Sequence, residues 1–175
     1  MPRKLRKGFV QVYTGGGKGK TTAAVGLTLR ALGHGLRVYM VQFLKKGFKY
    51  GELPALKRFP DFKFAQFGRG VYLKRPTARD AELAQKALDH AREIVRGGKY
   101  DIVVLDEVNA ALGLKLIKVA DVIDLIESKP PGVELILTGR NAPAEIIQRA
   151  DLVTEMVEVK HPFSKGAKAR AGIEY

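Results

Sequence analysis

The sequence contains neither cysteine nor tryptophan. Without thiols, disulfides and thiolate metal centres are excluded. Histidine is nearly as scarce. His34, His90 and His161 are too widely spaced to suggest a zinc set. No run of about 20 apolar residues occurs, so no membrane span is expected. The basic start, MPRKLRKGFV, is not followed by an apolar stretch of signal-peptide length, and a cytoplasmic protein is expected. Acid is short relative to base. Eighteen Asp and Glu against 31 Lys and Arg leave a formal charge of +13. That balance implies an acidic partner: nucleic acid, anionic lipid or a polyphosphate. The charge is dispersed, and densest in a basic arm at residues 1–8. Repeats, low-complexity segments and Pro/Gly/Ser linkers are also missing, so 175 residues read as a single domain, 1–175.

What is present is an alternation of strands and helices. Phe9 to Tyr13, Arg37 to Phe43, Phe62 to Phe67, Tyr100 to Glu107, Val133 to Gly139 and Leu152 to Lys160 read as strands. The run YDIVVLDE is continuously apolar before its two acids, as expected of a central parallel strand buried on both faces. Helices are predicted from Lys20 to Leu32, from Thr77 to Gly97, from Val119 to Ser128 and from Ala142 to Ala150, with Pro143 in the first turn of the last. Thr77 and Asp80 have the spacing of a capping box, and Leu83, Ala87, Leu88, Ala91, Ile94 and Val95 form one apolar stripe. Gly26, inside the first helix, suggests close packing on the sheet. The succession predicts an α/β fold: a doubly wound, mostly parallel sheet of the phosphate-loop NTPase, RecA-like type.

The most informative stretch is VYTGGGKGKTTAAVGL, Val12 to Leu27. It joins a strand to a helix, where a phosphate-binding loop must lie. Successive glycines let consecutive N–H groups turn toward one anion, and the helix N-terminus adds its dipole. Thr14, Gly15, Gly16, Gly17, Lys18, Gly19, Lys20, Thr21 and Thr22 are therefore the candidate nucleotide-binding residues. Lys20 can meet a phosphate as a point charge, and the Thr21 hydroxyl can ligate Mg²⁺. Against the common G-x-x-x-x-G-K-[ST] spacing, Thr14 stands where a glycine is usual. Asp106 and Glu107 end the apolar strand and match the acidic strand that faces the loop's magnesium, so Thr21, Asp106 and Glu107 are the candidate metal residues. Nothing in the sequence clearly positions a water for hydrolysis.

Four segments carry a resemblance: YTGGGKGKTTAAVGLTLRALGHGLRVYMVQFLKK, YDIVVLDEVNAAL, LTGRNAP and ADLVTEMVEVKHPFSKGAKARAGIEY. In this order they resemble the ATP:corrinoid adenosyltransferases, from about Gly8 to Tyr175. The family's loop reads G-x-G-K-G-K-T-T, so Thr14 before Gly15 is its ordinary form. The resemblance implies transfer of the 5′-deoxyadenosyl group of ATP to the Co(I) of a corrinoid, with release of triphosphate, in adenosylcobalamin biosynthesis or salvage. ATP is the cosubstrate, Mg²⁺ the metal and the corrinoid the substrate. It also implies that ATP lies reversed relative to other phosphate-loop proteins, the α-phosphate standing where a γ-phosphate would.

Lys20, Glu107 and Arg140 are the catalytic candidates on this basis, Arg140 matching a phosphate contact or else serving as a helix cap or surface ion pair. Asn109 either meets nucleotide or caps a helix. Lys45, Lys46 and Lys49 either steer ATP or corrinoid or form a solvated loop. Members of the family carry aromatics in a G-F-T-W stretch that help remove the corrinoid's lower ligand. Here Val71 and Leu73 stand at those places with Tyr72 between, and the three are the corrinoid candidates. His161 is read as structural. The resemblance further suggests a homodimer and a flavin-dependent electron donor, with no membrane or nucleic-acid partner. The alternative is a RecA-like phosphate-loop ATPase acting on nucleic acid, which the positive charge favours.

Overall fold

The computed structural model describes residues 5–47, 50–70 and 75–175. Six parallel strands form one sheet: β1 (Val10–Thr14), β2 (Val38–Phe43), β3 (Phe62–Phe67), β4 (Ile102–Asp106), β5 (Glu134–Thr138) and β6 (Leu152–Glu155), in the order β3-β2-β4-β5-β1-β6. Strands β1, β2, β4 and β5 are buried almost throughout, as their continuous apolar runs require. Their alternation feeds two cores. Val12, Val41, Phe43, Val103, Leu105, Leu135 and Leu137 face α3 (Ala78–Arg96), α4 (Val108–Gly113), α5 (Val119–Glu127) and α6 (Ala144–Arg149). Val38, Met40, Ile102, Val104 and Ile136 face α1 (Lys20–Gly33) and α2 (Glu52–Leu56). The doubly wound arrangement is therefore as expected.

α3 starts as its sequence dictates. Thr77 accepts from Asp80 N, and the Asp80 carboxylate accepts in return from Thr77 N at 2.8 Å. Its buried stripe is Ala84, Ala87, Leu88, Ala91 and Val95; Leu83 and Ile94 are only half-buried. Ala84 was not expected there.

Four expectations are corrected. The last strand ends at Glu155 and not Lys160, because Met156 N donates to Thr14 O and the chain then turns over the glycine loop. The final helix begins at Ala144, with Pro143 as its N-cap. Glu107 lies outside the strand, at φ 66, and is the N-cap of α4. Gly26 packs on nothing: a Cβ there would meet open space, on the solvent side of α1. The short helices α2 and α4 have no counterpart in the sequence reading; at five and six residues they are too short for a periodic signal.

The described part of the basic arm, Leu5 to Gly8, runs along Pro131–Val133, where Gly8 N donates to Pro131 O at 2.7 Å. This is the N-terminal end of β5, opposite the glycine loop.

Candidate active site

The strand order decides what meets. β1 carries the glycine loop and β4 the acids, and β5 lies between them. The C-terminal ends of these three strands therefore bring Thr14, Asp106 and Thr138 to one edge of the sheet, where open α/β sheets bind ligands.

The loop is held in shape from outside. Gly15 (φ 97) and Gly19 (φ 119) occupy left-handed backbone that favours glycine. A Cβ on Gly15 would lie 2.5 Å from Met156 O, and one on Gly17 would lie 2.7 Å from the same atom. Gly17 N donates to Met156 O at 2.7 Å. Gly16 differs, since a Cβ there would touch nothing. It is the variable position in G-x-G-K-G-K-T-T. Helix α1 opens at Gly19 with no side-chain cap and no acid in its first turn, so no side chain of its own satisfies its N-terminal amides.

Lys20 is buried, and its ammonium donates to Gly15 O at 2.9 Å and Gly17 O at 2.6 Å. Burial lowers its pKa and the nearby Arg140 adds to this, while Glu107 opposes both. Lys18 is exposed and tied to the chain's end, donating to Glu174 Oε1 at 2.9 Å and Ile173 O at 3.0 Å. The Thr14 hydroxyl accepts from Ala142 N at 3.1 Å and so fastens the segment after β5 to β1. Thr22 is exposed on the first turn of α1.

Asp106 is fully buried and fully engaged. Its Oδ1 accepts from Thr21 Oγ1 and Thr138 Oγ1, each at 2.8 Å. Its Oδ2 accepts from Gln42 Nε2 at 3.0 Å and Lys45 Nζ at 2.7 Å. Burial alone would raise its pKa, but Lys45 and these hydrogen bonds hold it below the usual carboxylate range. Glu107 shows the opposite balance: burial and the Asp106 charge push it up. Lys45, Lys20 and Arg140 all lie near enough to Glu107 to counter this in part. Lys45 itself stays firmly protonated, since Asp106 and Glu107 outweigh its burial.

Thr21, Asp106 and Glu107 offer hard oxygens side by side, the donor type that Mg²⁺ takes. Four donors already match the lone pairs of Asp106, so the Thr21 hydroxyl and the Glu107 carboxylate are the better placed ligands, with Asp106 orienting Thr21. No group of three or more His, Cys, Asp or Glu that could cage an ion exists among the described residues. That suits a metal whose remaining ligands are phosphate oxygens and water.

Three functional residues were missed. Thr138 donates to Asp106 and also accepts from Glu107 N at 3.0 Å, which holds Glu107 in its left-handed conformation. Gln42 pairs with Asp106 across the β2–β4 register, and Gln66 Nε2 donates to Gln42 Oε1 at 2.8 Å across β2–β3. A glutamine at the C-terminal end of the apolar run VYMVQF was the available signal. Arg140 is exposed at the start of the segment after β5 and acts on Lys20 and Glu107 through its charge. Asn109 caps nothing. It lies buried in the first turn of α4, and neither amide atom has a hydrogen-bond partner among the described residues. Lys46 is exposed, whereas Lys45 is mostly buried and paired with Asp106, not part of a solvated loop. Lys49, Val71, Tyr72 and Leu73 lie outside the described residues. His90 is structural: its Nε2 meets Tyr39 OH at 2.7 Å, and its ring packs on Phe67.

Comparison with known proteins agrees with this geometry. The model of the family "ATP:corrinoid adenosyltransferase BtuR/CobO/CobP" matches residues 6–175. A corrinoid adenosyltransferase of Sinorhizobium sp is 42% identical over 173 residues, covering 97% of this chain and 81% of that protein. The corrinoid adenosyltransferase of Escherichia coli K12 is 34% identical over 170 residues, covering 97% and 86%. Among solved structures, a KaiC-like protein, PH0186 of Pyrococcus horikoshii OT3, superposes with a TM-score of 0.57 at 16% identity, covering 89% of this chain and 75% of that one. That likeness concerns the fold alone. No described helix is long and apolar enough to cross a membrane. With a family match over nearly its whole length, and Thr21 at the end of the glycine loop bonded to Asp106, the chain belongs to the ATP:corrinoid adenosyltransferase family.

Proposed function

We propose that this protein transfers the 5′-deoxyadenosyl group of ATP to the Co(I) of a corrinoid. The cobalt–carbon bond forms at C5′ while the C5′–O bond breaks, and triphosphate leaves with the electron pair. The observation that carries this reading is the Thr21–Asp106 hydrogen bond, 2.8 Å, which joins the glycine loop to the acids in a chain of this family.

The residues are suited to a leaving triphosphate. The uncapped N-terminus of α1, which opens at Gly19 directly after the glycine loop, offers amides and a dipole to an anion. Lys20 exchanges its loop carbonyls for phosphate oxygens, and Lys18 exchanges Glu174. Arg140 adds a third positive charge at the outer edge. Thr21 and Glu107 would hold Mg²⁺, and Asp106 keeps the Thr21 hydroxyl turned toward it. When bound, Mg²⁺ neutralises charge on the departing phosphates. The corrinoid's metal is the nucleophile, so no side-chain base is required; the protein's work is alignment and charge stabilisation. The reversed seating of ATP, in which C5′ is presented away from the loop, belongs to the same proposal. So do corrinoid contact by Val71, Tyr72 and Leu73, a homodimer, and an external flavin-dependent source of Co(I).

The test is to mix the protein with Mg²⁺, ATP and chemically reduced cobalamin. The expected result is a light-sensitive alkylcobalt spectrum with stoichiometric triphosphate, absent in Lys20→Ala. ADP and phosphate as products would overturn the reading in favour of a hydrolase.

A further inference from the structure

The chain after β2 is built to deliver one lysine to the acid pair. Leu44 stands at φ 60, a conformation costly for a branched apolar residue. Gly68, just beyond β3, lies so close that a Cβ there would be 2.3 Å from Leu44 C and 2.5 Å from Lys45 N. These two constraints, from separate strands, direct Lys45 inward. Its side chain is 13% exposed, its ammonium lies 2.7 Å from Asp106 Oδ2, and it sits 4.8 Å from the centre of the Tyr50 ring. Ordering and desolvating a lysine costs free energy that a steering residue in a solvated loop would not spend. Asp106 already has three neutral donors in Thr21, Thr138 and Gln42. Lys45 supplies what they cannot, a full positive charge on the oxygen facing away from Thr21.

The formal charges show what that charge does. With exposed Arg140 left to solvent, Asp106 and Glu107 against Lys20 and Lys45 sum to zero. A bare divalent cation would leave this buried cluster at +2, whereas Mg²⁺–ATP, itself about −2, brings anionic oxygens for both lysines. Without Lys45 the cluster is at −1 and becomes an attractive cation site by itself. We infer that Lys45 is a resident counter-ion that excludes free divalent metal from Asp106 and Glu107, so that the metal enters only together with the triphosphate. Lys45 is thus a positioning residue that acts through the acids. The inference rests on the reading of this site as one for Mg²⁺–ATP.

The test uses Mn²⁺ as the probe, with free ion followed by electron paramagnetic resonance, on the full chain. Without nucleotide, Lys45→Met is expected to bind Mn²⁺ at least about tenfold more tightly than wild type, a change of roughly 1.4 kcal/mol by the usual conversion. Lys45→Arg keeps the charge and should stay within about twofold of wild type. Gly68→Ala keeps the lysine but displaces its backbone, and should shift affinity the same way as Lys45→Met. It also serves as the second variant should Lys45→Met fail to fold. With ATP present, the advantage of Lys45→Met should disappear. Equal Mn²⁺ affinity in wild type and the soluble variants without ATP, alongside normal wild-type binding of Mn²⁺–ATP, would overturn the inference while leaving the nucleotide reading intact. Failure of wild type to bind Mn²⁺–ATP would instead overturn the nucleotide reading.

Discussion

Replacing Thr138 with valine keeps the shape of the side chain and removes one hydroxyl. That hydroxyl is fully buried, donates to Asp106 Oδ1 at 2.8 Å and accepts from Glu107 N at 3.0 Å. The first bond is charge-assisted and contributes about 1.5–3 kcal/mol; the second, once lost, leaves an amide without its partner at about 1–3 kcal/mol. Against this, the added methyl recovers roughly 0.8 kcal/mol of burial. The net expectation is a loss of about 3 kcal/mol, which in a domain of this size lowers Tm by roughly 6–12 °C. Function should suffer more than stability, because the amide bond also fixes Glu107 at φ 66. Freed from it, Glu107 can relax and carry its carboxylate away from Thr21. Urea unfolding and Mg²⁺–ATP titration of Thr138→Val and Thr138→Ser measure both effects. The serine retains the hydroxyl and should recover most of each. A valine variant within about 1 kcal/mol of wild type, or a serine variant as weak as the valine, would refute the reasoning.

Gly139→Ala should also be damaging: at φ 128, its new Cβ would lie 2.7 Å from Ala110 N, costing at least about 2 kcal/mol in strain and overlap, read by thermal unfolding. Asp80 is held at about 2, below the usual 3.8, chiefly by Arg69 and then by Thr77. Its contribution is therefore complete above pH 3.8 and drains away as pH falls from there toward 2, a loss that acid titration should find missing in Asp80→Asn. Glu174→Gln removes the carboxylate that competes with triphosphate for Lys18, so Mg²⁺–ATP should bind about two- to fivefold more tightly by calorimetry. Weaker binding would show that Glu174 assists the nucleotide.

Those features of the site that lie within one stretch of chain were legible in the sequence. The glycine loop between strand and helix, Asp106 at the end of its apolar strand and the Thr77–Asp80 cap each depend on neighbours a few residues away, whereas the turn that takes Glu107 out of the strand did not show. What was hidden depends on register between distant strands. Gln42 meets Asp106 and Gln66 only because β2 lies between β3 and β4, an order that hydrophobic periodicity does not encode. Lys45 looks like any loop lysine until Leu44's backbone and Gly68's proximity are known. The over-long last strand has the same origin. LVTEMVEVK alternates well, but Met156 is recruited to the glycine loop, a tertiary demand that overrides local preference.

The dependence of residues 15–17 on the carbonyl of Met156 has a consequence for synthesis. The loop is synthesised long before the strut that sets its curvature and the strand that shields the open side of β1. A nascent chain that has not yet reached Met156 therefore lacks the shape that grips a nucleotide. Affinity for ATP is expected to emerge only once β6 and Met156 have been made and have folded back onto the loop.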